Sequence, residues 1–177
     1  MKNKLILVTG GARSGKSRFA EKLAREAGGK RFYIATAPVF DAEMAERVAR
    51  HKALRAQDNW RTIEEETDLA SALSRAAEQG AETILVDCLT LWINNLLYRD
   101  EKLSEETFAQ MCGTVLDRAH ELPAQVVMVI SEVGLGLVPE NALSRRFRDL
   151  SGRCAQLAAE RADEVYFLIA GIPQRIK

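Results

Sequence analysis

A glycine-rich stretch of eight residues near the start of the chain carries the residues best suited to chemistry. It reads Gly10-Gly11-Ala12-Arg13-Ser14-Gly15-Lys16-Ser17 and has the spacing G-x-x-x-x-G-K-[ST]. Glycines let the backbone curl so that successive N–H groups point at phosphate oxygens, and a helix N-terminus adds partial positive charge. Lys16 would then reach the β- and γ-phosphates of a nucleotide, and the Ser17 hydroxyl would bind Mg²⁺. The stretch predicts a phosphate-binding loop with ATP or GTP as substrate.

Such a loop is usually completed by a carboxylate at the end of another strand, which holds the metal ion directly or through water. Asp87 follows the apolar run Thr83–Val86 and is the first candidate for this role. Glu132, just after the run Gln125–Ile130, is the second. For Asp87 a structural alternative stays open, because an aspartate at this point can also cap the N-terminus of a helix.

His51 stands in a locally cationic segment. Met44, Val48 and His51 recur at spacings of four and three, which places the histidine on the apolar stripe of a predicted helix. Its charged neighbours are Arg47, Arg50, Lys52 and Arg55. These cations would hold a triphosphate and lower the pKa of the imidazole, which keeps the ring neutral and nucleophilic. A histidine on such a stripe is more often a packed residue, so both interpretations stay open.

Short apolar runs alternate with longer amphipathic segments, which is typical of parallel strands joined by crossover helices. The strands are predicted at Lys4–Thr9, Arg31–Thr36, Thr83–Asp87, Gln125–Ile130 and Glu164–Ala170. Helices are predicted from Lys16 to the Gly28-Gly29 pair, and over Asp41–Arg55, Asp68–Gln79, Ser104–Glu121 and Glu140–Ala162. No linker divides the sequence, so residues 1–177 are expected to form a single α/β domain.

The amino-acid composition argues against several classes of binding partner. The 25 lysines and arginines balance the 25 aspartates and glutamates, so no overall field attracts nucleic acid or an anionic membrane. Three cysteines lie far apart without a C-x-x-C pair, which argues against a zinc site or a disulfide framework and suits a reducing compartment. No apolar run approaches the length of a membrane span or a signal peptide. We expect a cytoplasmic protein with small-molecule substrates.

Beyond the phosphate loop, several strings make the sequence resemble a known enzyme family. They are Tyr33–Ala37, Arg50–Glu64, Val86–Leu97, Glu132–Glu140, Arg145–Arg153 and the final AGIPQRIK. The chain is similar over nearly its whole length to the bifunctional adenosylcobinamide kinase / adenosylcobinamide-phosphate guanylyltransferases of cobalamin biosynthesis. Unrelated kinases share only the phosphate loop with this chain, so the loop together with these strings is far more specific than the loop alone.

The resemblance implies a RecA-like sheet, two reactions and a homo-oligomer. ATP or GTP would phosphorylate the aminopropanol hydroxyl of adenosylcobinamide. GTP would then guanylylate a histidine, and the GMP would pass to the corrinoid phosphate to give adenosylcobinamide-GDP. The guanylylated residue of the family corresponds to His51. The nucleotide contacts carried over by position, besides the phosphate loop, are Ala35, Thr36, Ala37, Lys52, Ala53, Leu54, Arg55, Glu64 and Asp87.

Two positions depart from the family pattern. Ser131 and Ala155 stand where relatives commonly have asparagine, so two amides that could hold a substrate or a loop are missing. Two other functions remain compatible with the residues. One is a small-molecule kinase in which His51 is structural, and the other is a nucleotide-dependent regulatory module.

Overall fold

The computed structural model describes residues 4–38 and 59–177, and its centre is one seven-stranded sheet. The strands are β1 (Lys4–Gly10), β2 (Arg31–Ala35), β3 (Trp60–Glu64), β4 (Thr83–Asp87), β5 (Gln125–Val129), β6 (Glu164–Ile169) and β7 (Ile172–Arg175). Their order across the sheet is β3-β2-β4-β5-β1-β6-β7. Each neighbouring pair is parallel except β6 and β7, which form an antiparallel hairpin.

Helices cover both faces of this sheet. Within the described ranges they are α1 (Lys16–Ala27), α2 (Leu69–Glu78), α3 (Leu89–Arg99), α4 (Glu105–Glu121) and α5 (Ala142–Arg161). Alternate residues of β1 enter two core clusters: Leu5 and Leu7 pack with α2 to α5, and Ile6 and Val8 pack with α1. This two-sided burial explains the continuous apolar runs of the central strands. In the described part of the chain no helix is long and apolar enough to cross a membrane.

Polar side chains fix where three of the helices begin. Asp68, Ser104 and Asn141 are the N-caps of α2, α4 and α5, and each side chain accepts a hydrogen bond of 3.0 Å from a backbone N–H three residues later. These bonds satisfy donors that the first turn of a helix leaves unpaired. The predicted starts at Asp68 and Ser104 are therefore confirmed, and α5 begins slightly later than predicted.

The α/β fold and all of the predicted strands are confirmed, whereas three elements were not predicted. The edge strand β3 buries Trp60 but exposes most of its other residues, so it has no apolar run. All residues of β7 are exposed, and Pro173 is tolerated there because β7 lies at the edge of the sheet. Helix α3 follows β4 after a single residue. The helix predicted over Asp41–Arg55 lies outside the described residues.

Candidate active site

The glycine-rich stretch forms the connection from β1 to α1, as predicted. Gly10 and Gly15 have φ values of 146° and 91°, and Arg13 has a φ of 56°. Such left-handed conformations turn the chain sharply, and glycine adopts them without a steric penalty. Gly15 is the N-cap of α1 and no side chain caps the helix. The N–H groups of the first turn are therefore available to an anion.

Gly10 cannot be replaced without disturbing the loop. A Cβ atom there would lie 2.5 Å from the Leu168 carbonyl oxygen and 2.8 Å from Ser14 Oγ. Because its φ is also positive, we expect Gly10→Ala to lower the free energy of unfolding by about 2–4 kcal/mol. Gly11→Ala is the matched control, since nothing lies within 4 Å of its Cβ position. Urea unfolding of both variants checks this, and equal stabilities would contradict it.

Lys16 lies across the loop in the place where phosphate would bind. Its side chain is only 8% exposed, and Nζ donates a hydrogen bond of 2.6 Å to the carbonyl oxygen of Gly11. Burial lowers the pKa of Lys16, and the nearby Cys88 and Asp87 act in the opposite direction. A cation that has lost part of its hydration is stabilised when an anion binds beside it. The loop is therefore arranged for a phosphate group.

The two serines of the loop offer hydroxyl groups to such a ligand. The Ser14 hydroxyl is buried and has no hydrogen-bond partner among the described residues. Its own carbonyl oxygen accepts a bond of 3.0 Å from the N–H of Gly171, which fixes the loop against the β6–β7 hairpin. A buried hydroxyl without a partner costs free energy unless a ligand or water satisfies it. Ser17 is half-buried in the first turn of α1.

Asp87 ends β4 close to the lysine. Its Oδ2 accepts a hydrogen bond of 2.9 Å from the hydroxyl of Tyr33. The N-cap of α3 is Cys88 rather than Asp87, so the capping alternative for Asp87 was wrong. Burial and the Asp87 carboxylate raise the pKa of the Cys88 thiol to about 11, so this cysteine stays protonated at neutral pH and is not a thiolate nucleophile.

The donor set fits Mg²⁺, which prefers hydroxyl, carboxylate and phosphate oxygens. Ser17 supplies a hydroxyl and Asp87 a carboxylate. The negative charge of Asp87 also partly opposes the lowering of the Lys16 pKa by burial. Glu132 is the less suitable carboxylate, because its Oε1 already accepts a bond of 2.6 Å from the N–H of Gly134. No group of three or more metal-binding side chains occurs in the described part, so phosphate oxygens and water would complete the coordination.

Removing the Asp87 charge while keeping its shape tests this assignment. We expect Asp87→Asn to lower the triphosphate-dependent rate about a hundredfold and to raise the Mg²⁺ concentration needed for half-maximal rate. Tyr33→Phe is the matched control, because it removes the 2.9 Å hydrogen bond and leaves the carboxylate. Steady-state rates over a Mg²⁺ titration give the measurement. An Asp87→Asn variant with unchanged Mg²⁺ dependence would remove Asp87 from the metal site.

Three of the nucleotide contacts that the resemblance implies lie at the carboxyl ends of neighbouring strands: Ala35 ends β2, Glu64 ends β3 and Asp87 ends β4. Ala35 pairs in register with Asp87 on one side and with Glu64 on the other. β2 and β3 are three and four strand positions from β1, which is about 14 and 19 Å at the usual spacing. The structure therefore places Ala35 and Glu64 several strands away from the phosphate loop, on the side of β1 that is opposite to the β6–β7 hairpin.

Thr36 is fully bonded within the protein. Its hydroxyl donates to the Cys88 carbonyl oxygen and accepts from the Cys88 N–H, both at 2.8 Å. Its backbone carbonyl oxygen accepts a bond of 2.8 Å from the buried side chain of Asn95. Thr36 therefore joins the ends of β2 and β4.

Sequence reasoning did not single out Asn95 or Thr90, although both lie in the string Val86–Leu97 on which the resemblance partly rests. The Thr90 hydroxyl accepts a bond of 2.6 Å from the N–H of Ser131, so it holds the segment after β5 against α3. Ala155, the other departure from the family pattern, packs partly buried against the core. His51 and Lys52–Arg55 lie outside the described residues, and their roles stay predictions.

The chain is similar to known proteins over nearly its whole length. The profile of the cobinamide kinase / cobinamide phosphate guanyltransferase family matches residues 6–176. The chain is 47% identical over 173 residues to the bifunctional adenosylcobalamin biosynthesis protein CobP of Pseudomonas aeruginosa, covering 97% of this chain and 96% of the relative. It is 39% and 40% identical to the bifunctional adenosylcobalamin biosynthesis proteins CobU of Escherichia coli and Salmonella typhimurium, over 98% of this chain and 99% of each relative.

Proposed function

This chain belongs to the cobinamide kinase / cobinamide phosphate guanyltransferase family, and we propose that it acts twice on one corrinoid substrate. In the first reaction, ATP or GTP phosphorylates the aminopropanol hydroxyl of adenosylcobinamide. In the second, GMP passes from GTP to the corrinoid phosphate and gives adenosylcobinamide-GDP. The regulatory module that the residues alone left open is set aside, because the family and these relatives are enzymes.

The kinase step is supported by one observation above all, the buried Lys16 lying across an uncapped helix N-terminus. Loop N–H groups, the Ser14 hydroxyl and Lys16 would bind the β- and γ-phosphates and stabilise charge on the transferring phosphoryl group. Ser17 and Asp87 would hold Mg²⁺, which supplies further neutralisation of the phosphate oxygens. The acceptor hydroxyl attacks the γ-phosphorus, and the nucleoside diphosphate leaves.

The guanylyl transfer is proposed to use His51. A neutral imidazole nitrogen attacks the α-phosphorus of GTP, a phosphorus–nitrogen bond forms, and pyrophosphate leaves. A phosphate oxygen of the corrinoid then attacks the same phosphorus, which releases the histidine. Lys52–Arg55, Ala35–Ala37 and Glu64 are the proposed nucleotide contacts. The support for this step comes from the residue types around His51 and from the family resemblance. His51 itself lies outside the described residues.

Product analysis tests the two reactions together. We expect adenosylcobinamide, Mg²⁺ and ATP to give adenosylcobinamide phosphate, and subsequent addition of GTP to give adenosylcobinamide-GDP, both identified by mass spectrometry. EDTA should stop both reactions. Absence of both products from folded, nucleotide-binding protein would contradict the proposal.

A kinase without guanylyl transfer is the second candidate. The observation that favours it is the phosphate loop itself, because the uncapped N-terminus of α1 and the buried Lys16 need no histidine nucleophile for phosphoryl transfer. Formation of the phosphate product without any adenosylcobinamide-GDP would support it.

We also propose a single domain over residues 1–177, a cytoplasmic location and a homo-oligomer. One sheet that contains all of the described strands supports the first proposal. The three free cysteines suit a reducing compartment. The homo-oligomer rests on the resemblance and is measured by light scattering of the purified protein.

A further inference from the structure

The segment after β5, residues 132–140, leaves the sheet between the two parts of the proposed phosphoryl-transfer site. β5 lies between β1, which enters the phosphate loop, and β4, which ends at Asp87. The N–H of Glu132 donates a hydrogen bond of 2.9 Å to the carbonyl oxygen of Gly10. Lys16 binds the γ-phosphate end of a nucleotide in such loops. Segment 132–140 therefore begins directly beside the phosphate loop.

Segment 132–140 contains large apolar side chains that are not packed against the rest of the described chain. Leu135, Leu137 and Val138 are 82%, 95% and 66% exposed. Three neighbouring apolar side chains of this exposure contribute little to the core and form a surface suited to an apolar ligand. Their exposure has no explanation in the packing of the described residues.

Hydrogen bonds to the backbone keep this segment in place. Arg148 donates a bond of 2.6 Å to the carbonyl oxygen of Gly134, and Arg145 donates one of 3.0 Å to that of Pro139. Gly134 N–H also donates to the Glu132 carboxylate at 2.6 Å. The fold thus fixes the main chain of the segment and leaves its apolar side chains outward, which lowers the entropic cost of binding a ligand there.

A polar groove begins at the same segment. It has a volume of about 430 Å³ and extends from Gly134 along α5, where Asp149, Arg153 and Gln156 line it. These side chains donate and accept hydrogen bonds, as neutral amides require. The exposed apolar side chains of segment 132–140 and a groove lined by polar side chains therefore meet at Gly134.

We propose that segment 132–140 and this groove bind the corrinoid ring of the acceptor. The inference rests on the proposed function and deepens it. A corrinoid has broad apolar faces and a rim of carboxamides, which match the leucine surface and the groove, respectively. Binding there brings the aminopropanol arm past Glu132 toward the γ-phosphate. Leu135 and Leu137 are then specificity-determining residues for the acceptor and have no part in binding the nucleotide.

Equilibrium dialysis of adenosylcobinamide, followed by its visible absorbance, tests this proposal. We expect Leu135→Ser and Leu137→Ser each to weaken binding about tenfold, since each loses the burial of one large apolar side chain. Labelling of the protein by α-phosphate-labelled GTP without corrinoid should be unchanged. Ile176→Ser is the matched control, because Ile176 is 60% exposed but lies beyond the β6–β7 hairpin. Its corrinoid affinity should equal that of the wild type.

Two results would overturn the inference. One is corrinoid affinity of both leucine variants within about twofold of the wild type. The other is loss of the native oligomer mass together with loss of GTP labelling, which would assign the leucines to an interface between copies of the chain. Failure of the wild type itself to bind adenosylcobinamide would contradict the proposed function, and it is therefore distinguishable from an effect confined to the variants.

Discussion

Replacing His51 with alanine is expected to abolish guanylyl transfer, with a loss in rate of at least about 10³-fold. Phosphorylation of adenosylcobinamide should remain within about threefold of the wild type, because the nucleophile of that step is the substrate hydroxyl. Incubation with Mg²⁺ and α-phosphate-labelled GTP should label the denatured wild type and leave the variant unlabelled. A phosphorus–nitrogen bond should lose its label in acid and keep it in alkali.

His120→Ala is the matched control for this variant. His120 is the other histidine of the sequence, and it is exposed near the end of α4. The control should be labelled as strongly as the wild type. Labelling that survives His51→Ala and disappears in His120→Ala would contradict the assignment of the nucleophile. Complete absence of label from nucleotide-binding wild type would favour the kinase-only function.

Lys16→Met is expected to lower the kinase rate about 10³-fold, because it removes a fixed positive charge from the developing phosphoryl charge. Methionine keeps most of the apolar volume of the side chain, which is only 8% exposed. The free energy of unfolding without ligand should change little, since loss of the bond to Gly11 is offset by removal of a partly desolvated cation. The rise in Tm on adding Mg²⁺ and ATP should disappear.

Lys22→Ala provides the control, because Lys22 lies on the same helix with its side chain 67% exposed. It should retain both the rate and the nucleotide-dependent rise in Tm. The two reactions can also be compared in Lys16→Met. Loss of GTP labelling together with kinase activity would mean that both triphosphates use the phosphate loop, and retained labelling would mean separate sites. A kinase rate close to that of the wild type would contradict the role of Lys16.

The parts of the fold that could be predicted are those encoded locally. The central strands have continuous apolar runs because helices cover both faces, and the phosphate loop is specified by glycines at fixed positions. Asp68 and Ser104 predict helix starts because their side chains cap the next turn. The hairpin strand β7 lacks any such local signal, since its pairing with β6 and its exposed edge position depend on the assembled sheet.

Residues of the candidate site could be predicted from the sequence, but the hydrogen bonds that they make could not. Asp87 could be placed at a strand end, but its freedom from helix capping and its bond to Tyr33 appear only in the folded chain. Asn95 and Thr36 are 59 residues apart, and their bond depends on how α3 packs beside β2. The exposure of Leu137 is likewise a tertiary property, because leucine is usually buried and the sequence alone does not mark this one as exposed.

Transfer of GMP from the protein to the corrinoid is the step that tests the proposed function most directly. Wild-type protein would be guanylylated with α-phosphate-labelled GTP, freed of nucleotide by gel filtration, and mixed with adenosylcobinamide phosphate. We expect the label to leave the protein and appear in adenosylcobinamide-GDP, at a rate at least equal to steady-state turnover. Label that stays on the protein, or leaves as GMP at the same rate with and without the corrinoid, would contradict a guanylyl-histidine intermediate.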